Sequence, residues 1–164
     1  ARAAAPERTL AVHSFSKAFG MAGNRCGYVV GPASVLAQVE KATTHTVYCA
    51  PHAAQLAALG ALGRAGERWL ADARERYARA GRRAAGRLGV PPPAGGTFLF
   101  LDVAAQLDGS GLFGFLDRCV TNGLLLAPGP SFGPYPSHVR LCFTCSEPAV
   151  IERGVEVLAR LIGR

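Results

Sequence analysis

The sequence predicts an α/β chain, part of a larger domain followed by a small α+β domain. Three observations carry this. Two apolar, strand-like runs flank a Gly-punctuated loop near the start, and a long helical stretch covers 52–88. Pro91-Pro92-Pro93 then stops the chain before an alternation of strands and helices. The expected divisions are 1–50 for the larger domain's portion, 51–88 for an interdomain helix and 89–164 for the small domain.

Residues 9–14 and 26–30 are apolar and β-branched enough for strands. Gly31-Pro32 opens a short helix over 34–42, and 43–48 is expected to be an extended polar stretch. Leu56, Leu59 and Leu62, then Trp69, Leu70, Ala73 and Tyr77, recur every three to four residues, as one helix face requires. A break or bend is expected at Gly63 or Gly66. The small domain should hold a strand at 97–103, a helix at 111–122, a short strand at 124–126, a strand at 138–144 and a helix at 147–162. Glu147-Pro148 suits the last helix's start, and Val150, Ile151, Val155, Leu158 and Ile162 suit its buried stripe.

The net charge of +7 comes mostly from arginine. Arg64, Arg68, Arg74, Arg76, Arg79, Arg82, Arg83 and Arg87 crowd the long helix, interleaved with Glu67, Asp72 and Glu75. Asp72 with Arg76 and Glu75 with Arg79 stand four apart, the spacing of helical ion pairs. That interleaving reads as a solvated helix face, so no nucleic-acid partner is expected. No apolar run approaches the roughly 20 residues that span a bilayer, so no membrane role is expected. The first eight residues are too short and too lightly apolar for a signal peptide. Five widely scattered cysteines suit a reducing, cytoplasmic setting. Cys142 and Cys145 spell C-x-x-C, but on a strand their sulfurs would point to opposite faces, against a redox or zinc role. The four histidines have no ligand spacing, and no metal is expected.

Lys17 is one of two lysines among 18 basic residues, in the string Ser14-Phe15-Ser16-Lys17-Ala18-Phe19-Gly20-Met21-Ala22-Gly23-Asn24-Arg25-Cys26-Gly27-Tyr28. A primary amine condenses with an aldehyde cofactor, and a guanidinium does not. Small and hydroxylated residues surround it, and Arg25 follows eight positions on. Such a loop lets backbone and hydroxyl donors approach a phosphate, with arginine adding bidentate charge-assisted bonds. An amine beside a phosphate cradle points to pyridoxal 5′-phosphate.

The fifteen-residue string resembles the lysine-loop signature of the fold-type I pyridoxal-phosphate enzymes, the class I/II aminotransferases. It is most similar to the histidinol-phosphate aminotransferase and capreomycidine-synthase branch, where SKAFG is followed by AGxRxGY. Residues 93–101 resemble that family's PxGGxFxF strand, and residues 128–133 its PGxxFG loop, so the likeness extends over nearly all of 8–162. The resemblance implies an aspartate-aminotransferase-like fold. It makes Lys17 the Schiff-base lysine and proton shuttle, and places Ser14, Ser16 and Arg25 on the cofactor phosphate. Arg140 would meet the substrate carboxylate, or a phosphate in the histidinol-phosphate branch. His45 and Tyr48 would approach the neighbouring subunit's pocket, as substrate contacts or as interface packing. Asn24 departs from the family's usual apolar residue.

The family also implies an Asp that keeps the pyridine nitrogen protonated, a ring-stacking aromatic, an Asn to the cofactor O3′ and a phosphate-binding helix N-terminus. These stand upstream of the lysine, where this chain has sixteen residues and none of those groups. Asp102, Asp108 and Asp117 lie downstream, in the small domain. The chain is therefore expected to be the C-terminal segment of an aminotransferase-like enzyme acting on an amino acid. It would need a complementary N-terminal half, as a separate chain or a cleaved segment, in a homodimer or a heterotetramer of halves. Two alternatives stand beside this: elimination and cyclisation of an arginine-derived amino acid, and a non-catalytic partner half.

Overall fold

A computed structural model describes residues 5–164. It forms two compact units, one ending at Ala73 and the other beginning at Arg74.

In the first unit, β1 (Ala11–Ser14) pairs antiparallel with β2 (Gly27–Val30), setting His13 opposite Tyr28 and Ser14 opposite Gly27. Both strands begin later than expected, because Thr9 and Leu10 lead into β1 without ladder bonds and Cys26 still belongs to the loop. The α1 helix (Ala33–Thr44) follows Pro32 and runs two residues past its expected end. The expected extended stretch at 43–48 is therefore corrected. Thr43, Thr44 and Thr46 turn their hydroxyls back onto the carbonyls of Val39, Glu40 and Ala42, at 2.8, 3.0 and 3.0 Å. This local bonding holds the chain in helix and turn rather than in an extended path.

The α2 helix (His52–Ala61) ends at Leu62-Gly63, and α3 (Arg64–Leu88) begins immediately after. The break thus falls at Gly63. Gly66 is helical and buried, and a Cβ there would overlap the Ala61 carbonyl oxygen, so only glycine lets α3 start this close to α2. The leucine face of α2 departs from expectation. Ala54 and Ala58 are the buried positions, while Leu56, Leu59 and Leu62 are 57%, 70% and 59% exposed. Close packing of α2 selects its small side and turns the leucines outward.

The second unit holds a three-stranded antiparallel sheet in the order β3-β5-β4 and the helices α4 and α5. The strands are β3 (Phe98–Asp102), β4 (Ala127–Pro128) and β5 (His138–Cys142). The helices are α4 (Gly111–Thr121) and α5 (Pro148–Leu161). Alternation along β3 and β5 sends Leu99, Leu101, Val139 and Leu141 into the core and leaves Phe98, Phe100, His138 and Arg140 on the other face. The core closes over these residues with Leu88, Phe115, Cys119, Leu158 and Ala159, each at 0% exposure. The strand expected at 124–126 is corrected to Ala127–Pro128. Leu124 and Leu126 are drawn into the core as irregular chain, and pairing with β5 begins only at Ala127 opposite Arg140. Val150, placed in α5's buried stripe by its spacing, is 42% exposed, while Val155 and Leu158 are buried.

Charged side chains of α3 are paired where acids are within reach. Glu75 pairs with Arg79 on α3 itself, Arg83 reaches Glu152 on α5 at 2.6 Å, and Arg87 grips both oxygens of Glu156 at 2.7 and 2.8 Å. The C-x-x-C reading also changes. β5 ends at Cys142, and the chain then bends so that the Cys145 thiol donates to the Cys142 carbonyl, Sγ to O 3.5 Å. All five cysteines are free thiols, and burial pushes Cys119 up to about 11. Among the described residues no helix is long and apolar enough to cross a membrane, and no three His, Cys, Asp or Glu residues gather as a metal site.

Two predictions follow from the second unit. Phe115 is fully buried at the centre of its core, so Phe115→Ala should cost about 3–5 kcal/mol in denaturant unfolding. The other concerns acid. The Ser137 hydroxyl at 2.7 Å and the Ala104 N–H at 2.9 Å both donate to Asp102, and together with His138 they hold its carboxyl below the ordinary range. A folded-state value below the unfolded one stabilises the fold above the unfolded pKa, and that contribution disappears as pH falls through the folded one. Thermal melts should therefore fall below about pH 4, where unfolded aspartates titrate, and should fall less steeply in Asp102→Asn.

Candidate active site

The end of β1 and its connection to β2 carry four of the expected site residues: Ser14 closes the strand, and Ser16, Lys17 and Arg25 lie on the connection. The connection begins with Phe15, the buried anchor of the loop at 4% exposure, whose N–H donates to the Cys26 carbonyl at 3.3 Å. The Phe15 carbonyl accepts from Phe19 and Met21, at 3.3 and 3.4 Å, so the loop winds one compact turn around it. Phe19 and Tyr28 pack on the Phe15 ring, with centroids 5.5 and 5.8 Å away. Lys17 sits on this turn with its side chain exposed. Among the described residues no carboxylate lies within ion-pair distance of its amine.

The Ser14 hydroxyl closes the local geometry by accepting the Ser16 N–H at 3.1 Å, a side-chain turn that sets both residues on the same bend. Arg25 adopts φ 52°, in the left-handed region, as the loop turns into β2. One of its guanidinium nitrogens donates to the Ala22 carbonyl at 2.8 Å. Gly27 then lets β2 close on β1, since a Cβ there would stand 2.5 Å from the His13 carbonyl oxygen. An amine, two hydroxyls and a guanidinium on one short connection form the donor set that a phosphorylated aldehyde requires. In that chemical sense these residues fit pyridoxal phosphate.

His45 and Tyr48 lie on the turn after α1, and both are exposed. Tyr48 stands at φ 63°, an uncommon conformation for an aromatic residue, with its N–H bonded to the Thr43 carbonyl at 2.8 Å. Tyr48 as a whole is 75% exposed.

Arg140 belongs to the second unit. It is half-buried on β5, and its guanidinium lies between two aromatic rings, 4.1 Å from the Phe98 centroid and 4.1 Å from the Phe132 centroid. Two rings this close to the guanidinium carbon hold it by cation–π contact, and its N–H groups remain donors for an anion. Among the described residues no carboxylate pairs with it. Phe100 stands opposite Arg140 in the strand register and gathers Phe132, Tyr135 and His138 around it, at 6.1, 5.0 and 4.9 Å. Arg140 falls within the strand expected at 138–144, while the aromatic rings around its guanidinium were not foreseen. The available signal was the alternation of Phe98 and Phe100, which puts both rings on the arginine's side of the sheet. Phe132 arrives from a 3-10 turn after β4 (Gly129–Phe132) and carries no such signal.

Comparison with known proteins bears on the family and the fold. The family described as "Aminotransferase class I and II" matches residues 2–158. An aspartate/prephenate aminotransferase of Thermus thermophilus is 31% identical over 98% of this chain and 42% of its own length. An arginine–pyruvate transaminase of Pseudomonas aeruginosa is 35% identical over 82% of this chain and 36% of its own. The solved structure of a Thermus thermophilus aspartate aminotransferase with maleate superposes with TM-score 0.81 at 26% identity, covering 98% of this chain and 43% of that one. The chain spans about two fifths of the length of the relatives it matches. With a family match across nearly its whole length, the chain belongs to the class I and II aminotransferases, on the pyridoxal-phosphate-dependent aspartate-aminotransferase-like fold.

Proposed function

We propose that this chain supplies the lysine-bearing and carboxylate-binding portion of a pyridoxal-phosphate-dependent aminotransferase acting on an amino acid. The observation that carries the reading is Lys17, an exposed amine without a carboxylate partner, on a turn flanked by Ser14, Ser16 and Arg25. When bound, pyridoxal phosphate supplies an aldehyde that condenses with amines and a ring that draws electrons from the substrate Cα–H bond. Ser14, Ser16 and Arg25 hold its phosphate. Lys17 would hold the cofactor at rest through its amine, and the same amine, when free, would be the base that accepts the substrate Cα proton. Arg140 would receive the substrate carboxylate on its guanidinium N–H groups. The maleate in the Thermus structure, a dicarboxylate, supports an anionic substrate.

Within the family, the SKAFG and AGxRxGY strings support the histidinol-phosphate and capreomycidine-synthase branch. An arginine-derived substrate is the second reading, favoured by those strings and by the 35% identity to an arginine–pyruvate transaminase. The active assembly in this reading contains a complementary N-terminal half and is dimeric, with His45 and Tyr48 contributed toward a neighbouring pocket. The exposed leucine face of α2 and Val12 of β1, 77% exposed, support further packing partners for the first unit. The widely spaced thiols fit a reducing cytoplasm.

Lys17→Ala should abolish cofactor that borohydride can fix covalently to the chain. Fixation through Lys41 instead would overturn the assignment. Arg140→Ala should weaken the substrate half-reaction by about 2–5 kcal/mol, because a bidentate charged contact is removed, while cofactor binding persists. Near-normal turnover with every amino acid tested would place the carboxylate site elsewhere.

A further inference from the structure

The lysine turn has a second anchor that its own backbone does not provide. Phe15 secures the approach to Lys17, and the Gly20 N–H bonds to the Lys17 carbonyl at 3.3 Å. The carbonyl of Ala18, the next residue, accepts instead from the indole Nε1–H of Trp69, at 3.1 Å and from 51 positions away on α3. The same ring also meets the turn at Gly20, where φ is +66° and an added Cβ would stand 3.3 Å from Trp69 Cζ2. One side chain therefore touches the loop on both sides of Phe19, directly after the residue that carries the amine. Trp69 is 40% exposed, so the ring is not simply filling a core. A partly exposed tryptophan with its N–H directed at one backbone oxygen orients that oxygen's peptide.

We propose that Trp69 is a positioning residue for Lys17: its indole hydrogen bond to Ala18 and its contact with Gly20 hold the turn so that the amine works from one place. This inference rests on the reading of Lys17 as the cofactor-binding lysine. Proton transfer is steep in geometry, since a misplacement of about 1 Å costs up to about 10²-fold in rate. Side chains between Trp69 and the amine are not needed for the effect, because it travels through the peptides of Ala18 and Lys17.

The test uses the holoenzyme, this chain with its complementary half and bound cofactor. Trp69→Phe keeps an aromatic ring, smaller than the indole, and removes the donor. Gly20→Ala keeps the donor and pushes the turn from the opposite side. Borohydride fixation at Lys17 is measured first, in the parent and in both variants, together with the melting temperature. The expected result is retained fixation, a shifted pH midpoint for the cofactor's visible absorption change, and a roughly tenfold slower single-turnover proton transfer. Substrate affinity, set at Arg140, should stay within about twofold of the parent in both. Should Trp69→Phe fail to fold, Gly20→Ala carries the same expectation. An unchanged midpoint and an unchanged proton-transfer rate in the variants that fold would overturn the proposal and reduce Trp69 to packing. Absence of fixation at Lys17 in the parent would overturn the reading of Lys17 itself, and the proposal with it.

Discussion

The antiparallel register of β3 on β5 is the constraint from which the second unit's organisation follows. Leu99 lies opposite Leu141 and Leu101 opposite Val139, so one face of both strands enters the core together. Phe98 lies opposite Cys142, Phe100 opposite Arg140 and Asp102 opposite His138, so the other face gathers aromatic and charged residues. Side chains alternate along a strand, and a slip of one residue would exchange the two sets. It would bury Arg140 among leucines and carry Phe100 away from it. The core therefore enforces the site: the energy that buries Val139 and Leu141 is what holds the guanidinium between its rings.

The first unit is organised differently, around a loop rather than a core. Phe15 is its deeply buried large side chain, joined by Ala54, Ala58 and Ala73. Small buried residues make close approach possible and contribute little apolar area each. The lysine turn depends instead on directed bonds: Phe15 to Cys26, Ser16 to Ser14, and Trp69 to Ala18. Directed bonds fix a backbone more sharply than apolar contact does, which suits a turn that must present one amine. The glycines follow the same logic. Gly27 admits the His13 carbonyl, and Gly20 admits the indole ring.

Surface charge has a modest part in this. The pairs of Arg83 with Glu152 and Arg87 with Glu156 tie α3 to α5 along exposed edges, where each pair contributes little on its own. Their value lies in register, since two pairs four residues apart on both helices admit one alignment of the two. The arginine-rich composition of α3 is thus partly absorbed by neighbouring acids, as the interleaving of charges along the helix implied.

The lysine loop, the face of Arg140 and most helices were legible in the sequence, because each rests on local pattern. Residue type and spacing are sufficient for a turn that carries an amine, for strand alternation and for a break at Gly63. Other features were decided by partners distant in sequence. The 43–48 stretch is a local exception: it read as extended, yet the hydroxyls of Thr43, Thr44 and Thr46 bond to carbonyls one helical turn back. Leu56, Leu59 and Leu62 kept helical spacing, but spacing defines a face without naming what covers it, and tertiary packing chose the alanines. Phe132 over Arg140 and Trp69 on Ala18 had no trace in the string, since each joins side chains whose separation only the folded chain removes. Local sequence thus determined which chemical groups stand on which element, and tertiary structure decided how they are held, because the holding contacts depend on distances that chain order does not contain.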